Sequence, residues 1–517
     1  MTDWTRDLTR IVDSSRMQEI DRRAQNEYAI PAIVLMESAG LLSWLEIERR
    51  LSGRPQSPRL CVVAGKGNNG GDALVMARYA VGAGYETSVV LSAPEEALGE
   101  HARVHAGVVR SLGVQPFVWA NDRRTCLDAL ARADVVVDGL AGTGVRGALR
   151  APLDDICSAI NEALERGAQV ASVDAPSGLG DEWRPGMPAV RATWTLTMGL
   201  PKECLYAPAA RSLCGAIVRI NVCFPSDLTR DPTIRGTLLE SDRLPTVLPP
   251  LGADTYKHRR GVTGVFAGGV GTTGAAVLAA EGAHRCRAGL VTVFADDAIY
   301  PIVASNVGSV MVRPLDPEDP LAGVDVDSVV IGPGWGVSDA RRELLRALLP
   351  GGRADRVAAG VLDADALNLL AGMDDAPGLH DRWVLTPHPG ELGRLLGTGS
   401  AAVLADFKGA ALELAGRTGA VVVGKSHTTI VAHPDGRFAY ADGMNAAMGT
   451  GGSGDVLAGA IGGLLAGGMD GWRASCAAVL VHQIAGRSLR RRRGLFLAEE
   501  LAAELGKVAD VRSKPRA

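Results

Sequence analysis

The 517-residue sequence predicts an α/β protein made of two three-layer αβα domains. Three observations lead there. Short apolar runs alternate with amphipathic helical runs along two long stretches, the rhythm of parallel strands joined by crossover helices. Most of the apolar runs end in a loop of Gly, Asp, Pro or His, where a parallel sheet presents ligand-binding groups. Between the two stretches, from Pro225 to about Ala253, periodicity fades and Pro, Asp, Arg and Thr dominate. The expected organisation is a first domain over residues 1–226, a linker over 227–253 and a second domain over 254–517.

Taken in order, the first domain is expected to place strands at 60–64, 135–137, 170–173 and 193–198, with a helix over 73–83. The second is expected to place them at 264–267, 290–294, 328–331, 361–362, 383–385, 421–423 and 429–431. The tail after Gly506 is charged and expected to fray. Apolar residues make up 47 % of the chain, enough for two large cores. Aromatic residues are only 4 % and glycines number 64, which points to Ala, Val and Leu cores with many tight turns. A formal charge of −4 argues against a nucleic-acid partner. The basic run Arg490 to Arg493, with Arg487 before it, reads as a solvated helix end. Eight cysteines include no CxxC pair, so neither zinc nor a disulfide framework is suggested. The first residues carry charges and no apolar run, so no secretory signal is expected. The apolar stretch 456–469 is too short and Gly-rich to span a membrane. A cytoplasmic protein is the expectation.

The densest motif is Met448-Gly-Thr-Gly-Gly-Ser-Gly-Asp455-Val-Leu-Ala-Gly459. Glycines let backbone N–H groups approach an anion, and the N-terminus of the helix that follows adds partial positive charge. A carboxylate in that place is electrostatically misplaced unless it handles a proton, such as that of a hydroxyl attacking a phosphoryl group. The structural alternative is a helix start whose Asp is only an N-terminal charge.

In the first half, Gly65-Lys66-Gly67-Asn68-Asn69-Gly70-Gly71-Asp72 follows a strand and opens a helix. Its amides can bond phosphate or ligate a cation. The alternative is a dinucleotide-binding turn with no chemistry. Asp138 to Gly144 and Asp174 to Gly178 follow two further strands. The carboxyl ends of parallel strands share one side, so Asn69, Asp138, Asp174 and Ser177 are expected at one site. An all-oxygen set favours a hard cation over zinc.

These motifs, with Leu35-Met36-Glu37-Ser38-Ala39-Gly40, resemble the epimerase domain of the bifunctional NAD(P)H-hydrate repair enzymes. The resemblance implies a Rossmann-like domain in which Asn69, Asp138 and Ser177 hold K+. It places the hydrated dinucleotide on Asn68, Asn69, Gly70, Gly71 and Asp72. The loop Gly142, Thr143, Gly144, Val145, Arg146, Gly147 and Ala148, and Asp174, complete that site. Asp174 is the candidate acid/base. Ala73 stands where the family usually has Gly. Lys202 matches a family lysine, and its role is open between site residue and solvated surface.

In the second half, six strand-end motifs follow in order, among them Gly332-Pro-Gly334-Trp-Gly336, Asp363-Ala-Asp365-Ala-Leu-Asn368, Thr386-Pro-His388-Pro-Gly-Glu391 and Lys425-Ser-His-Thr-Thr429. They resemble the ribokinase-like ADP- or ATP-dependent dehydratase of the same family. The resemblance implies that Asp455 is the base on the hydrate's hydroxyl, and that Ala275, Gly334 and His388 line the hydrate site with it. Lys425, Ser426, His427, Thr428 and Thr429, with Gly454, would grip the nucleotide. Ser426 stands where Gly is common. Asp363 and Asp365 would hold Mg2+ or only stabilise their turn. His482 reads as a packed core histidine. The family chemistry interconverts R and S hydrates of NADH and NADPH (NADHX, NADPHX) and dehydrates the S form at the expense of ADP, giving AMP and phosphate, or of ATP. Ala- and Gly-rich helix faces and the resemblance point to a homo-oligomer. Two other readings remain at this level: a ribokinase-like small-molecule kinase fused to a nucleotide-binding module, and a first domain that binds without catalysis.

Overall fold

The computed structural model describes residues 4–53, 57–354, 357–373 and 376–511. The chain divides into two compact units. One is Arg10–Ile234; the other combines the described residues up to Thr9 with those from Arg235 onward.

In the Arg10–Ile234 unit, β1 (Leu60–Ala64), β2 (Thr87–Leu91), β3 (Phe117–Val118), β4 (Val135–Gly139), β5 (Gln169–Val173), β6 (Trp194–Met198) and β7 (Ala216–Ile220) form a seven-stranded sheet. Its order is β3-β2-β1-β4-β5-β6-β7, and every pair is parallel. Strand order reverses between β1 and β4, whose ends lie level at Ala64 and Gly139. A crevice opens at such a switch point. The inner strands are buried and mainly apolar because both faces are covered. Val62, Ala64, Val135 and Val137 meet α1 (Ser14–Glu27), α2 (Ala32–Leu51), α3 (Asn68–Gly82) and α4 (Glu100–Ser111) on one face. Cys61, Val63 and Val136 meet α5 (Arg123–Arg132) and α6 (Leu153–Glu165) on the other.

Helix α3 begins at Asn68, not at residue 73, so the Asn-Asn-Gly-Gly-Asp motif is its first turn. A Cβ on Gly70 would stand 1.9 Å from the Gly65 carbonyl oxygen, which is why the turn accepts no larger residue there. Ala73, the departure from the family's Gly, fits for a related reason. Its methyl is buried against the bare Cα of Gly139, where an added Cβ would lie 2.4 Å away.

In the other unit, β8 (Gly236–Leu238), β9 (Val262–Phe266), β10 (Leu290–Ala295), β11 (Met311–Pro314), β12 (Ser328–Ile331), β13 (Gly360–Leu362), β14 (Trp383–Leu385), β15 (Val421–Gly424), β16 (Thr428–Ala432) and β17 (Phe438–Asp442) run in the order β8-β17-β16-β15-β14-β13-β12-β9-β10-β11. Pairing is parallel except where β16 runs antiparallel to β15 and β17. One face buries Val265, Val293, Val330, Val361 and Val384 under α7 (Thr273–Arg285), α10 (Ser453–Ala466), α11 (Gly471–Arg493) and α12 (Ala498–Ala509). The shorter α8 (Asp365–Ala371) and α9 (Pro389–Leu396) follow β13 and β14. Helices α7 and α10 touch backbone to backbone: a Cβ on Gly459 would lie 2.0 Å from the Ala279 oxygen, and one on Gly282 would lie 2.4 Å from the Val456 oxygen. These Gly- and Ala-rich faces, read from sequence as permitting subunit contact, are consumed inside the unit. The chain's start belongs here too, with Leu8 in the core and Trp4 against Trp472, ring centroids 6.5 Å apart.

The stretch 227–253, expected as a linker, is ordered. It carries β8, which pairs with β17, and the chain passes between units at Ile234. The tail expected to fray after Gly506 stays helical to Ala509; residues 512–517 lie outside the described residues. The basic run is more engaged than a solvated end: Arg490 donates to Asn445, and Arg492 and Arg493 pair with Glu504 and Glu500.

Two candidate active sites

At the β1/β4 switch point of the first-described unit lies a cavity of about 990 Å3. Asn68, Asn69 and Asp72 reach it from the first turn of α3, and Gly142 to Arg146 with Ala148 from the loop after β4. Asp174, Met198 and Lys202 close another side, and Met17, Gln18, Asp21 and Gln25 of α1 a third. Three residues expected to touch ligand do not line it. Gly70 packs on Gly65, and Gly71 on the Met36 side chain. Gly147 turns away at φ +69°, its N–H donating to Glu182 at 3.1 Å.

Asp138 is fully buried at the end of β4. It accepts from Ser172 Oγ (2.7 Å), from Ser177 N and Oγ (2.9 and 2.5 Å) and from Leu140 N (3.3 Å). Burial raises its pKa against the pull of those donors. Ser177 Oγ also accepts from Ala141 N at 2.8 Å. The Asn69 side chain meets the same loop at Gly142, and its Nδ2 is buried with no partner.

Asp174 sits at φ +64°, in the left-handed region that Asp tolerates better than bulkier residues. Its Oδ1 accepts from Lys202 Nζ and from Met198 N (3.1 Å), and its Oδ2 from Thr143 Oγ1 (3.4 Å). Lys202 is not a solvated lysine. It is buried, and its ammonium is shared among Asp174, the Met198 carbonyl (2.7 Å) and Thr197 Oγ1 (3.3 Å). Burial, then Asp174 and Asp21, push the Asp72 carboxyl well above the usual range.

In the other unit the second constellation forms at the N-terminus of α10. Gly452 caps the helix at φ +89°, where a Cβ would strike Leu278. Asp455 is in the first turn. Burial and the neighbouring Asp363 push its pKa up to about 7, with Lys425 opposing. Lys425 Nζ lies 2.5 Å from Asp363 Oδ1, and a Cβ on Gly454 would stand 3.6 Å from that ammonium. Burial opposes the Lys425 charge, but Asp363, Glu391 and Asp455 outweigh it and raise the lysine's pKa. His482, sequestered in α11, has its pKa lowered to about 4 by burial and is neutral at physiological pH. Its Nε2–H donates to the Ser453 carbonyl at 2.9 Å, so it supports the loop as well as packing in the core.

Neighbouring strand-end loops are tied together. Lys425 N donates to Pro387 O (2.8 Å), and Gly336 N to Asp365 (2.8 Å). Thr272 Oγ1 donates to Gly334 O (2.7 Å), which brings Gly334 against Ala275. His388 caps α9: Nδ1 accepts from Gly390 N (3.0 Å), and Nε2 faces Glu391 at 3.3 Å. Of the six residues expected on the nucleotide, Gly454 lies in the first turn of α10, Lys425 and Ser426 are half-buried and His427 is exposed. Thr428 and Thr429 lie inside β16, and the buried Thr428 hydroxyl has no partner. Ser426, the other departure, places Oγ 3.4 Å from His427 Nδ1.

Both units match known families. Residues 263–507 match the family described as NAD(P)H-hydrate dehydratase, and residues 32–204 the one described as YjeF-related protein N-terminus. The bifunctional NAD(P)H-hydrate repair enzyme Nnr of Moorella thermoacetica is 36 % identical, over 94 % of this chain and 93 % of its own. The chain belongs to the family of bifunctional NAD(P)H-hydrate repair enzymes. The Coxiella burnetii and Escherichia coli members are 34 % and 33 % identical over 92 % and 89 % of the chain, which covers 94 % and 86 % of them. The solved ADP/ATP-dependent NAD(P)H-hydrate dehydratase from Bacillus subtilis, co-crystallised with ATP/Mg2+, aligns with 52 % of this chain and 96 % of its own at 26 % identity, TM-score 0.48.

Among the residues of this repair enzyme that face or support a site, sequence reasoning passed over the α1 side chains and the loop contact of His482. A helical i, i+4, i+8 reading of Met17, Asp21 and Gln25 holds the missing signal for α1. Nothing local in the sequence marks His482, because its partner lies 29 residues away.

Proposed function

We propose that the Arg10–Ile234 unit interconverts the R and S hydrates of NADH and NADPH, and that the other unit dehydrates the S form using ADP or ATP. The observation that carries the second step is Asp455: a carboxyl raised to about 7 in the first turn of a helix, beside its free-ended backbone N–H groups. Asp455 takes the proton of the ring hydroxyl, whose oxygen attacks the terminal phosphoryl group. The N–H groups of Gly452, Ser453 and Gly454 meet the developing charge. The phosphate ester then departs, pushed by the ring nitrogen's lone pair, and a proton leaves the adjacent carbon. With ADP the products are NAD(P)H, AMP and phosphate. Lys425, with Ser426, His427 and Gly454, holds the nucleotide. Ala275, Gly334 and His388 border the hydrate.

Magnesium arrives with the nucleotide, since Asp363 pairs with Lys425 and Asp365 with the Gly336 amide. Phosphates and water then supply most of its ligands. For K+ the donor set fits: Asp138, Ser177 and Asn69 offer oxygen, and a cation offsets the cost of the buried Asp138 charge. Asp138, Ser177 and Asn69 would hold that ion against the loop after β4. In the first step Asp174, paired with Lys202, holds the substrate's hydroxyl. A homo-oligomer is the expected assembly, which sedimentation measures. Eight free cysteines support a reducing, cytoplasmic compartment, and no described helix is long and apolar enough to cross a membrane.

The test mixes the protein with equilibrated R and S NADH hydrate in potassium buffer, with ADP, ATP or neither, and follows reduced-nicotinamide absorbance. Full recovery with one nucleotide supports both steps and identifies the donor. Recovery that stalls at the S fraction removes the epimerase assignment, and none with either nucleotide removes the reading.

A further inference from the structure

We propose that Asp21 of α1 is a catalytic acid/base of the epimerisation, acting across the cavity from the Asp174–Lys202 pair; this rests on the epimerase reading above. Helix α1 precedes the family-matched region, which begins at residue 32. Yet Met17, Gln18, Asp21 and Gln25 form one helical face, and that face lines the cavity. Other acids of α1 are neutralised by arginines: Glu19 by Arg16, and Glu27 by Arg23. Asp21 is treated differently. Its Oδ2 accepts from the neutral Gln25 amide at 2.8 Å. A neutral amide orients a carboxyl and favours its ionised form less than a guanidinium does, which suits a group that must both give and take a proton.

The facing groups complete the argument. Asp72 from α3 and Asp174 from the end of β5 add negative charge, and Lys202 after β6 supplies one cation already bonded to Asp174. Arg146, Arg150 and Lys66 line the same cavity. Burial raises the Asp21 pKa, with Gln25 opposing, and Asp21 in turn raises that of Asp72. The site therefore holds one carboxyl bonded to a buried lysine and a second, Asp21, bonded to a neutral amide.

Inverting the hydroxyl-bearing carbon uses both. The C–O bond breaks with its electron pair going to oxygen, which takes a proton from Asp21 and leaves as water. The ring nitrogen's lone pair forms the C=N bond of an iminium ion. Water then adds to the opposite face, the C=N pair returns to nitrogen, and Asp21 recovers the proton. The net change is the configuration alone.

The test uses full-length protein and purified R hydrate without nucleotide, so that the dehydratase step is idle, and follows the S epimer by chromatography. Asp21→Asn keeps the size of the side chain and removes its proton exchange. It is expected to lower epimerisation kcat by about 10²-fold, with KM little changed, and to remove one limb of the pH profile. Asp21→Glu restores part of the rate. Dehydration of S hydrate with nucleotide stays at the wild-type rate, which shows that the variant is folded. Asp21→Asn activity within about threefold of wild type between about pH 5 and 9, or a change confined to KM, overturns the assignment. A wild-type protein that does not interconvert the epimers defeats the epimerase reading itself.

Discussion

Each site contains a lysine–aspartate pair at the carboxyl end of a parallel sheet, and the two pairs are inverted. In the epimerase unit Lys202 is 1 % exposed and Asp174 17 %, so the carboxylate looks into the cavity from a buried ammonium. In the dehydratase unit Asp363 is 1 % exposed and Lys425 21 %, so the ammonium looks out from a buried carboxylate. One interaction thus serves two chemistries. Under the proposed function, the first would present a hydrogen-bond acceptor to a hydroxylated ring and the second a cation to phosphate.

The sharpest way to break this comparison is Asp455→Asn. Turnover of S hydrate is expected to fall by about 10³-fold while epimerisation persists. The same variant should gain stability. A carboxyl whose folded pKa is raised to about 7 binds its proton more tightly folded than unfolded. Its contribution is full below the unfolded value near 4 and is lost as pH rises to about 7. At pH 8 the amide variant should therefore be more stable, on the order of 2–4 kcal/mol, in denaturant titrations. Equal activity, or lower stability at pH 8, would sink the assignment of Asp455 as a strained base.

Lys202→Met tests the inverted pair. It leaves Asp174 without its buried partner and should cost about 3–5 kcal/mol in the unfolding of the Arg10–Ile234 unit. Lys425→Met strands the buried Asp363 carboxylate and should cost a comparable amount, and in addition it should weaken nucleotide binding, so an unchanged nucleotide KM would reverse the contrast. Gly459→Ala should cost about 1–3 kcal/mol by forcing α10 off α7, and should slow dehydration without touching epimerisation. The smallest expected effect is on pH: dehydration kcat/KM should rise about tenfold per unit below the Asp455 midpoint near 7 and level off above it, because the base must be ionised.

The sequence disclosed strands buried on both faces, since β1 and β4 read as unbroken apolar runs. It also disclosed the strand-end loops, whose glycines and aspartates are local signals. Not expected were β2, β7 and β17, nor β3, only two residues long, and β11, whose side chains are mostly exposed. β8 was lost because three residues between prolines and arginines carry no period. The ion pairs escaped for another reason. Asp174 and Lys202 are 28 residues apart, and Asp363 and Lys425 are 62 apart, so only the fold brings them together. Asp138, Asp174 and Asp455 were legible because each directly follows or ends an apolar strand or a glycine turn.

Trp4 and Leu8 pack in the unit that otherwise starts at Arg235, with Trp472 beside Trp4. A ribosome makes Trp4 and Leu8 long before Trp472. At typical elongation rates the wait is on the order of tens of seconds. Throughout it, two apolar side chains have no native place to go, even after the Arg10–Ile234 unit is fully synthesised. The nascent chain therefore carries them unburied until the second unit's core residues emerge.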